Sequence, residues 1–451
     1  MRTLTIRRAA ITGIAALTIA ASSATGAMGE PTTNPLADTP FADAPLINAL
    51  PSELVEALER DLNMSAEQFI EESDLAQQLA EIANTFRADF PDEFGGAWLN
   101  NGVPTIAVTT ESLGQQVRDI GFEVKKVSRT EAVLRSDLAQ LRDWISTLPE
   151  PLHSIFRDIM VNLSDNTIIV GLADTAVGDA IDLPSVLENA GIVFTPANEV
   201  IPGEDRIIEE PLPGGTEEQP VFPPASATVP PNFQVMGGDP FLSGSNASLR
   251  CSLGFNGVDS DGNAVNITAG HCNPDGPGAT GAPTRFLDGP LAGQVFGTFT
   301  ETNMDDVDYA IITVDDSHKD WFKTAGVRGG SDLHITGTAD PVVGMPVCKS
   351  GVTTGFSCGV VTSTNLKLEV GNRTLGNAFT SNICALQGDS GGAIISGTRA
   401  VGVSSASDVG DFTSCSEAVR QTAIFGDTPL LYATPINDIL NTSTYVRLNT
   451  Q

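Results

Sequence analysis

The sequence predicts an all-β domain over residues 233–451, preceded by a small α+β unit. Three observations carry this prediction. Residues 233–451 are rich in Gly, Thr, Ser and Val, set in short strand-like runs broken by Gly and Asn, with little helical periodicity. Residues 28–200 instead mix amphipathic helical stretches with a few short strands. Between them, residues 201–232 are dense in Pro, Gly and Glu, the composition of an exposed linker where a protease would cut. At 451 residues with 41% hydrophobic content, the chain suits two packed domains joined by such a segment.

The elements follow in chain order. Arg2, Arg7 and Arg8 precede an apolar run over residues 9–21, and Thr25, Gly26 and Ala27 form a small-residue cleavage site. This is the pattern of a signal peptide over residues 1–27, read by the general export route. The run is short for a membrane span, and no later stretch reaches the roughly 20 apolar residues a spanning helix needs. Secretion is therefore expected, without stable membrane association. In the first folded zone, Leu54-Val55-x-x-Leu58 and Leu75-x-x-x-Leu79-x-x-Ile82-x-x-x-Phe86 have helical spacing, and Ser65 with Gln68 forms a capping box. Thr105-Ile106-Ala107-Val108-Thr109 and Thr167-Ile168-Ile169-Val170-Gly171-Leu172 read as strands. In the last zone only Pro435-Ile436-Asn437-Asp438-Ile439-Leu440 looks helical.

A formal net charge of −32 argues against nucleic acid or an anionic membrane surface as partner. The six cysteines, Cys251, Cys272, Cys348, Cys358, Cys384 and Cys415, all lie in the last zone. In an exported domain an even cluster reads as three disulfides, with fifteen possible pairings. A metal site is the weaker reading, since no C-x-x-C pair occurs and the four histidines are scattered, so no metal or cofactor is expected. His153, His318 and His334 read as surface or structural residues.

Two motifs carry the chemistry: Thr268-Ala269-Gly270-His271-Cys272 and Gly388-Asp389-Ser390-Gly391-Gly392. A serine hydroxyl is a poor nucleophile near neutral pH and needs an adjacent base, which His271 supplies. The imidazole in turn needs a shielded carboxylate to fix its tautomer. Asp308 opens the apolar run Tyr309-Ala310-Ile311-Ile312, whereas its rivals Asp305 and Asp306 lie in a polar loop. The backbone N–H groups of Gly388 and Ser390 are the expected oxyanion donors. The order, histidine before serine, excludes an α/β-hydrolase esterase, where the nucleophile comes first. A catalytically silent binding module is the other alternative, and nothing in the three residues favours it.

These motifs, in this order in an all-β cysteine-bearing domain, resemble the chymotrypsin-like serine proteases, and within them the streptogrisin and α-lytic protease group. The resemblance implies a two-barrel, chymotrypsin-like fold and an endopeptidase acting on polypeptide substrates; a monomer is expected. It implies the disulfides Cys251–Cys272, Cys348–Cys358 and Cys384–Cys415. Where relatives have Val-Cys-Arg-Ser-Gly, this chain has Val347-Cys348-Lys349-Ser350-Gly351, so Lys349 is expected to pair with Asp389. Ser405, Ala406 and Ser407 fall on the segment that pairs with substrate, and Ala406 and Ser407 replace two glycines, which points to a modest apolar residue before the scissile bond. Phe94-Gly95-Gly96-Ala97-Trp98 with the strand after it resembles the α-lytic-type prodomain. That likeness makes residues 28–200 a pro-region that assists folding and inhibits its own protease domain, with processing expected near residues 229–236.

Overall fold

The computed structural model describes residues 50–150, 152–175, 178, 181, 183–197, 201–202, 229–328, 333–370, 373–410, 412–424, 428–443 and 446–450. The expected signal segment and most of the expected linker lie outside the described residues.

The first folded zone, expected as the pro-region, holds the predicted helices and strands. Ser65 caps the helix Ala66–Asp89, its hydroxyl accepting from the Gln68 N–H while the Gln68 side chain accepts from the Ser65 N–H, so two of the four orphan donors at a helix start are satisfied. The helical spacing of Leu79, Ala83 and Phe86 puts them on one buried face. That face covers a three-stranded sheet ordered Phe94–Asn100, Val103–Val108, Glu123–Lys126. A second three-stranded sheet, Phe156–Asn162, Thr167–Leu172 and Ile192–Pro196, packs on the helix Glu131–Ser146.

Residues 233–451 form two large sheets. In the first, the strands Phe255–Asp259, Ala264–Thr268, Tyr309–Val314 and Val295–Asn303 are neighbours, and Phe241, Phe286, Phe296, Phe299 and Phe322 fill its interior. The second closes on itself, because Arg399–Ser407 pairs both with Ala393–Ser396 and with Leu431–Pro435. Several of these strands, among them Ala264–Thr268, Pro346–Gly351, Ala393–Ser396 and Leu431–Pro435, are buried along their whole length. The last zone is more helical than expected: Cys415–Ile424 is a helix besides Ile436–Thr442. Its Ser-Cys-Ser-Glu start and polar surface gave no apolar stripe long enough to register, and only Ala418 and Thr422 are buried along it.

The two units share their interiors. Leu54, Leu58 and Phe69 of the pro-region lie in one cluster with Phe255, Tyr309, Phe356 and Ile395 of the last zone. Leu79, Phe86 and Ile106 lie in another with Val347, Phe379 and Ile394. Polar contacts seal the join: Asp61 accepts from the Cys358 N–H at 2.9 Å, Arg399 meets Asp74 at 2.7 Å, and the Leu99 N–H donates to the Val343 carbonyl at 2.8 Å.

Asp239, at the start of the last zone, gives a pH test of the fold. Burial pushes its carboxyl up to about 6, outweighing the Met236 N–H and Arg328, with Asp288 adding to the rise. Its side chain is 25% exposed, which tempers the energy. A carboxyl that binds its proton more tightly folded than unfolded withdraws stability as pH rises between the two values. Asp239→Asn should therefore be more stable than the native chain by about 1 kcal/mol above about pH 6, and no different below about pH 4, in denaturant midpoints measured across pH.

Candidate active site

Strand register brings His271 and Asp308 together. Thr268 lies opposite Ala310 in the antiparallel pair Ala264–Thr268 and Tyr309–Val314. Three residues beyond Thr268 and two before Ala310, the chains are still adjacent, and His271 meets Asp308 there. The His271 Nδ1 lies 2.8 Å from an Asp308 carboxylate oxygen, and the His271 backbone N–H donates to the other oxygen at 3.0 Å. Asp305 and Asp306, the rival acids, remain outside this contact, and Asp306 sits 3.4 Å from Lys367 at the surface.

Asp308 is wholly buried. Burial alone would raise its pKa; the charges of His271 and Arg373 and hydrogen bonds from His271 and the Ser405 hydroxyl outweigh it and hold the carboxyl well below the usual range. Arg373 approaches Asp308 at 3.4 Å and also donates to the Ser405 carbonyl at 2.8 Å. Neither Arg373 nor the role of Ser405 as an acid partner was visible in the sequence. Arg373 follows Gly371-Asn372, so it reads as an ordinary turn charge.

Ser390 stands beside the histidine turn. Its carbonyl accepts from the Ser252 N–H at 2.8 Å and lies 3.8 Å from Cys272 Sγ, next to His271. His271 Nε2 is buried and has no hydrogen-bond partner among the described residues, so it does not bond the Ser390 hydroxyl in this conformation. Such bonds often tighten only when substrate arrives. Gly388 adopts φ +98°, a conformation glycine permits, and a Cβ there would lie 2.5 Å from Thr353 Oγ1. Its carbonyl is turned away to the Ser252 hydroxyl at 2.8 Å.

Asp389 and Lys349 form the expected pair at 3.0 Å, both buried. Burial pushes the Lys349 ammonium down, and Asp389 opposes that. The remaining lone pairs of Asp389 accept the N–H groups of Thr353, Thr354 and Leu386 and the Thr354 hydroxyl. All three disulfides join as the resemblance implied: Cys251–Cys272, Cys348–Cys358 and Cys384–Cys415. A pocket beside Ser390 is lined by Ala385, Leu386, Ala406, Ser407 and Leu431. Asp408, an acid at this edge that the sequence reading passed over, accepts the Leu430 N–H at 2.7 Å. His153 lies 3.5 Å from Glu150, and His318 packs against Phe286 and Trp321, both away from the pocket. Among the described residues no cluster of three His, Cys, Asp or Glu side chains is arranged to hold a metal, and no helix is long and apolar enough to cross a membrane.

Comparison with known proteins agrees with this geometry. The family model described as "Trypsin" matches residues 257–420, and "Alpha-lytic protease pro N-terminal" matches residues 69–127. Streptogrisin-C of Streptomyces griseus is 27% identical over 90% of this chain and 79% of its own length. Serine protease 2 of Streptomyces fradiae is 34% identical, over 35% of this chain and 86% of its own. Glutamyl endopeptidase 2 of Streptomyces griseus is 33% identical, over 38% of this chain and 85% of its own. The chain belongs to the trypsin-like, chymotrypsin-fold serine proteases and is a serine-type endopeptidase. Its α-lytic-type pro-region makes it a proprotease of the streptogrisin and α-lytic kind.

Replacing Lys349 by Met should cost about 3–5 kcal/mol, because Asp389 is left charged and unpaired in the interior. Lys349→Arg should recover most of that loss. Denaturant midpoints of the three proteins, with kcat/KM on a peptide amide, check both statements.

Proposed function

We infer that this is a secreted endopeptidase in which Ser390 attacks the peptide carbonyl, His271 takes and returns the proton, and Asp308 holds the imidazole. The observation that carries this reading is the buried His271–Asp308 pair at 2.8 Å, beside the Ser390 loop. With Nδ1–H held by the acid, Nε2 is the basic nitrogen, and it is the atom left open for the Ser390 proton. Attack converts the carbonyl to an oxyanion, which the Gly388 and Ser390 N–H groups receive; losing one such donor typically costs about 3–4 kcal/mol. His271 then protonates the leaving amine, and water hydrolyses the acyl-Ser390 ester by the same steps reversed.

Residues 1–27 are proposed as the signal peptide, 28–200 as the pro-region, 201–232 as the linker and 233–451 as the protease domain. The pro-region is proposed to inhibit and to assist folding. Two features support inhibition. Backbone pairing sets Ile201 and Pro202 opposite Ser407 and Ala406, on the strand a substrate would join. The shared apolar clusters also hold the pro-region to the protease domain. A folding role fits the topology, since closed sheets built from non-local pairings fold slowly. Ala385, Leu386, Ala406 and Leu431 in the pocket lining, beside Gln387 and several serines, support a modest apolar residue before the scissile bond. Among the described residues the lining holds no basic group, so a glutamate preference like that in the name of one relative draws no support from it. The enzyme is proposed to act as a monomer.

Ser390→Ala should lower peptide hydrolysis by about 10⁴-fold or more and leave an uncut precursor. A fluorophosphonate should label the processed native enzyme at Ser390 and leave the variant unlabelled. An unlabelled native enzyme would instead indicate a silent binding module. Normal processing of the variant would assign maturation to another protease.

A further inference from the structure

Among the described residues Arg373 is the one lysine or arginine in recorded contact with the proposed triad, and it is as deeply buried as Asp308. We propose that Arg373 is a positioning residue for the reaction: its guanidinium supplies the standing counter-charge of Asp308, through the 3.4 Å contact to the carboxylate and the 2.8 Å hydrogen bond to the Ser405 carbonyl. This rests on the assignment of Asp308 as the acid of the triad.

The physical need is plain. When His271 is neutral, as a general base must be, its imidazole does not offset the Asp308 charge. A lone carboxylate in the interior costs several kcal/mol even after relaxation. Hydrogen bonds from the His271 N–H groups and the Ser405 hydroxyl meet part of that cost, and a guanidinium meets the charge itself. Arg373 is also held in place by a fixed acceptor, since the Ser405 carbonyl lies on the central strand Arg399–Ser407. The same hydrogen bond ties the cation to the strand proposed to receive substrate. Arginine suits this position because it stays charged when buried, and its long planar group donates to the Ser405 carbonyl while lying beside the carboxylate.

A consequence follows for pH. A positive charge fixed beside Asp308 offsets the field of the carboxylate at the imidazole, and removing it leaves that field unopposed. Among the described residues the charged and titratable groups recorded around Asp308 are few. His271 and Arg373 touch it, the Ser405 hydroxyl donates to it, and the Lys367–Asp306 pair lies outside at the surface. Glu301, on the strand next to Tyr309–Val314, is engaged by the Tyr309 and Ser443 hydroxyls.

The test compares the native enzyme with Arg373→Gln and Arg373→Lys, normalising each to the concentration of labelled Ser390. For Arg373→Gln the acidic limb of the kcat/KM profile should move up by about one pH unit. For Arg373→Lys, which keeps the charge and loses the fork, the limb should stay near its native place while kcat/KM falls. A residue that only packs would change stability and leave the limb where it is, so a folded Arg373→Gln enzyme with an unmoved limb overturns the proposal. Folding itself is read in the precursor carrying Ser390→Ala. There, Arg373→Gln should be strongly destabilising with Asp308 present and much less so beside Asp308→Asn. Equal loss in both backgrounds, or failure of both to fold, would make Arg373 a packing residue and overturn the proposal by that route.

Discussion

The Asp308 carboxylate is the constraint on which the rest of the site depends. It has left water entirely, and everything that makes this tolerable comes from segments far apart in the chain. His271 and Asp308 itself flank strands of the first sheet, while Arg373 and Ser405 lie on strands of the second. The charge therefore ties the two sheets chemically at the cleft between them. Apolar burial brings the sheets into contact but is non-directional, and tolerates small slips. A buried carboxylate held by three hydrogen-bond donors and one guanidinium contact tolerates none, because any displacement strands a charge. Catalytic geometry and domain packing are thus fixed by the same atoms.

The second buried charge, Asp389, acts on the other half of the site. Its two oxygens receive three backbone N–H groups, a hydroxyl and the Lys349 ammonium. All of these donors lie in the same domain, so the loop that carries Gly388 and Ser390 takes its shape without a newly released N-terminus. Control of a precursor wired this way must act on access to the cleft. The backbone pairing of Ile201 and Pro202 with Ser407 and Ala406 lies where such control would act.

How much of this was legible in the sequence divides along physical lines. His271, Ser390 and the all-β character were readable, because each rests on local pattern: short motifs, Gly and Asn punctuation and short strand-like runs. The Ser65 capping box and the strand Thr167–Leu172 were readable for the same reason. Asp308 was picked from three acids by the apolar run behind it, a local cue to a buried strand end. The disulfide pairing and the Lys349–Asp389 pair came from family resemblance, since spacing alone left fifteen pairings open. Arg373 was not legible at all. An arginine after Gly-Asn at a hairpin has the sequence signature of an exposed turn, and only tertiary packing carries it to the interior. The helix Cys415–Ile424 was missed because it buries only two small side chains.

The pro-region contact adds a last physical step. Strands distant in sequence must find one another before the protease sheets bury anything, so loop-closure entropy is lost ahead of any packing gain. The pro-region helices form from local contacts and then present Leu54, Leu58, Phe69, Leu79 and Phe86 as a ready apolar surface. Those side chains meet Phe356, Ile394 and Ile395 on strands of the second sheet, which carries Arg373 and Ser405 and follows directly from the Ser390 loop. On the proposed folding role, the scaffold is therefore laid against the half of the enzyme with more of the site still to assemble. The Asp308 charge can then be buried last, when all of its partners are in place.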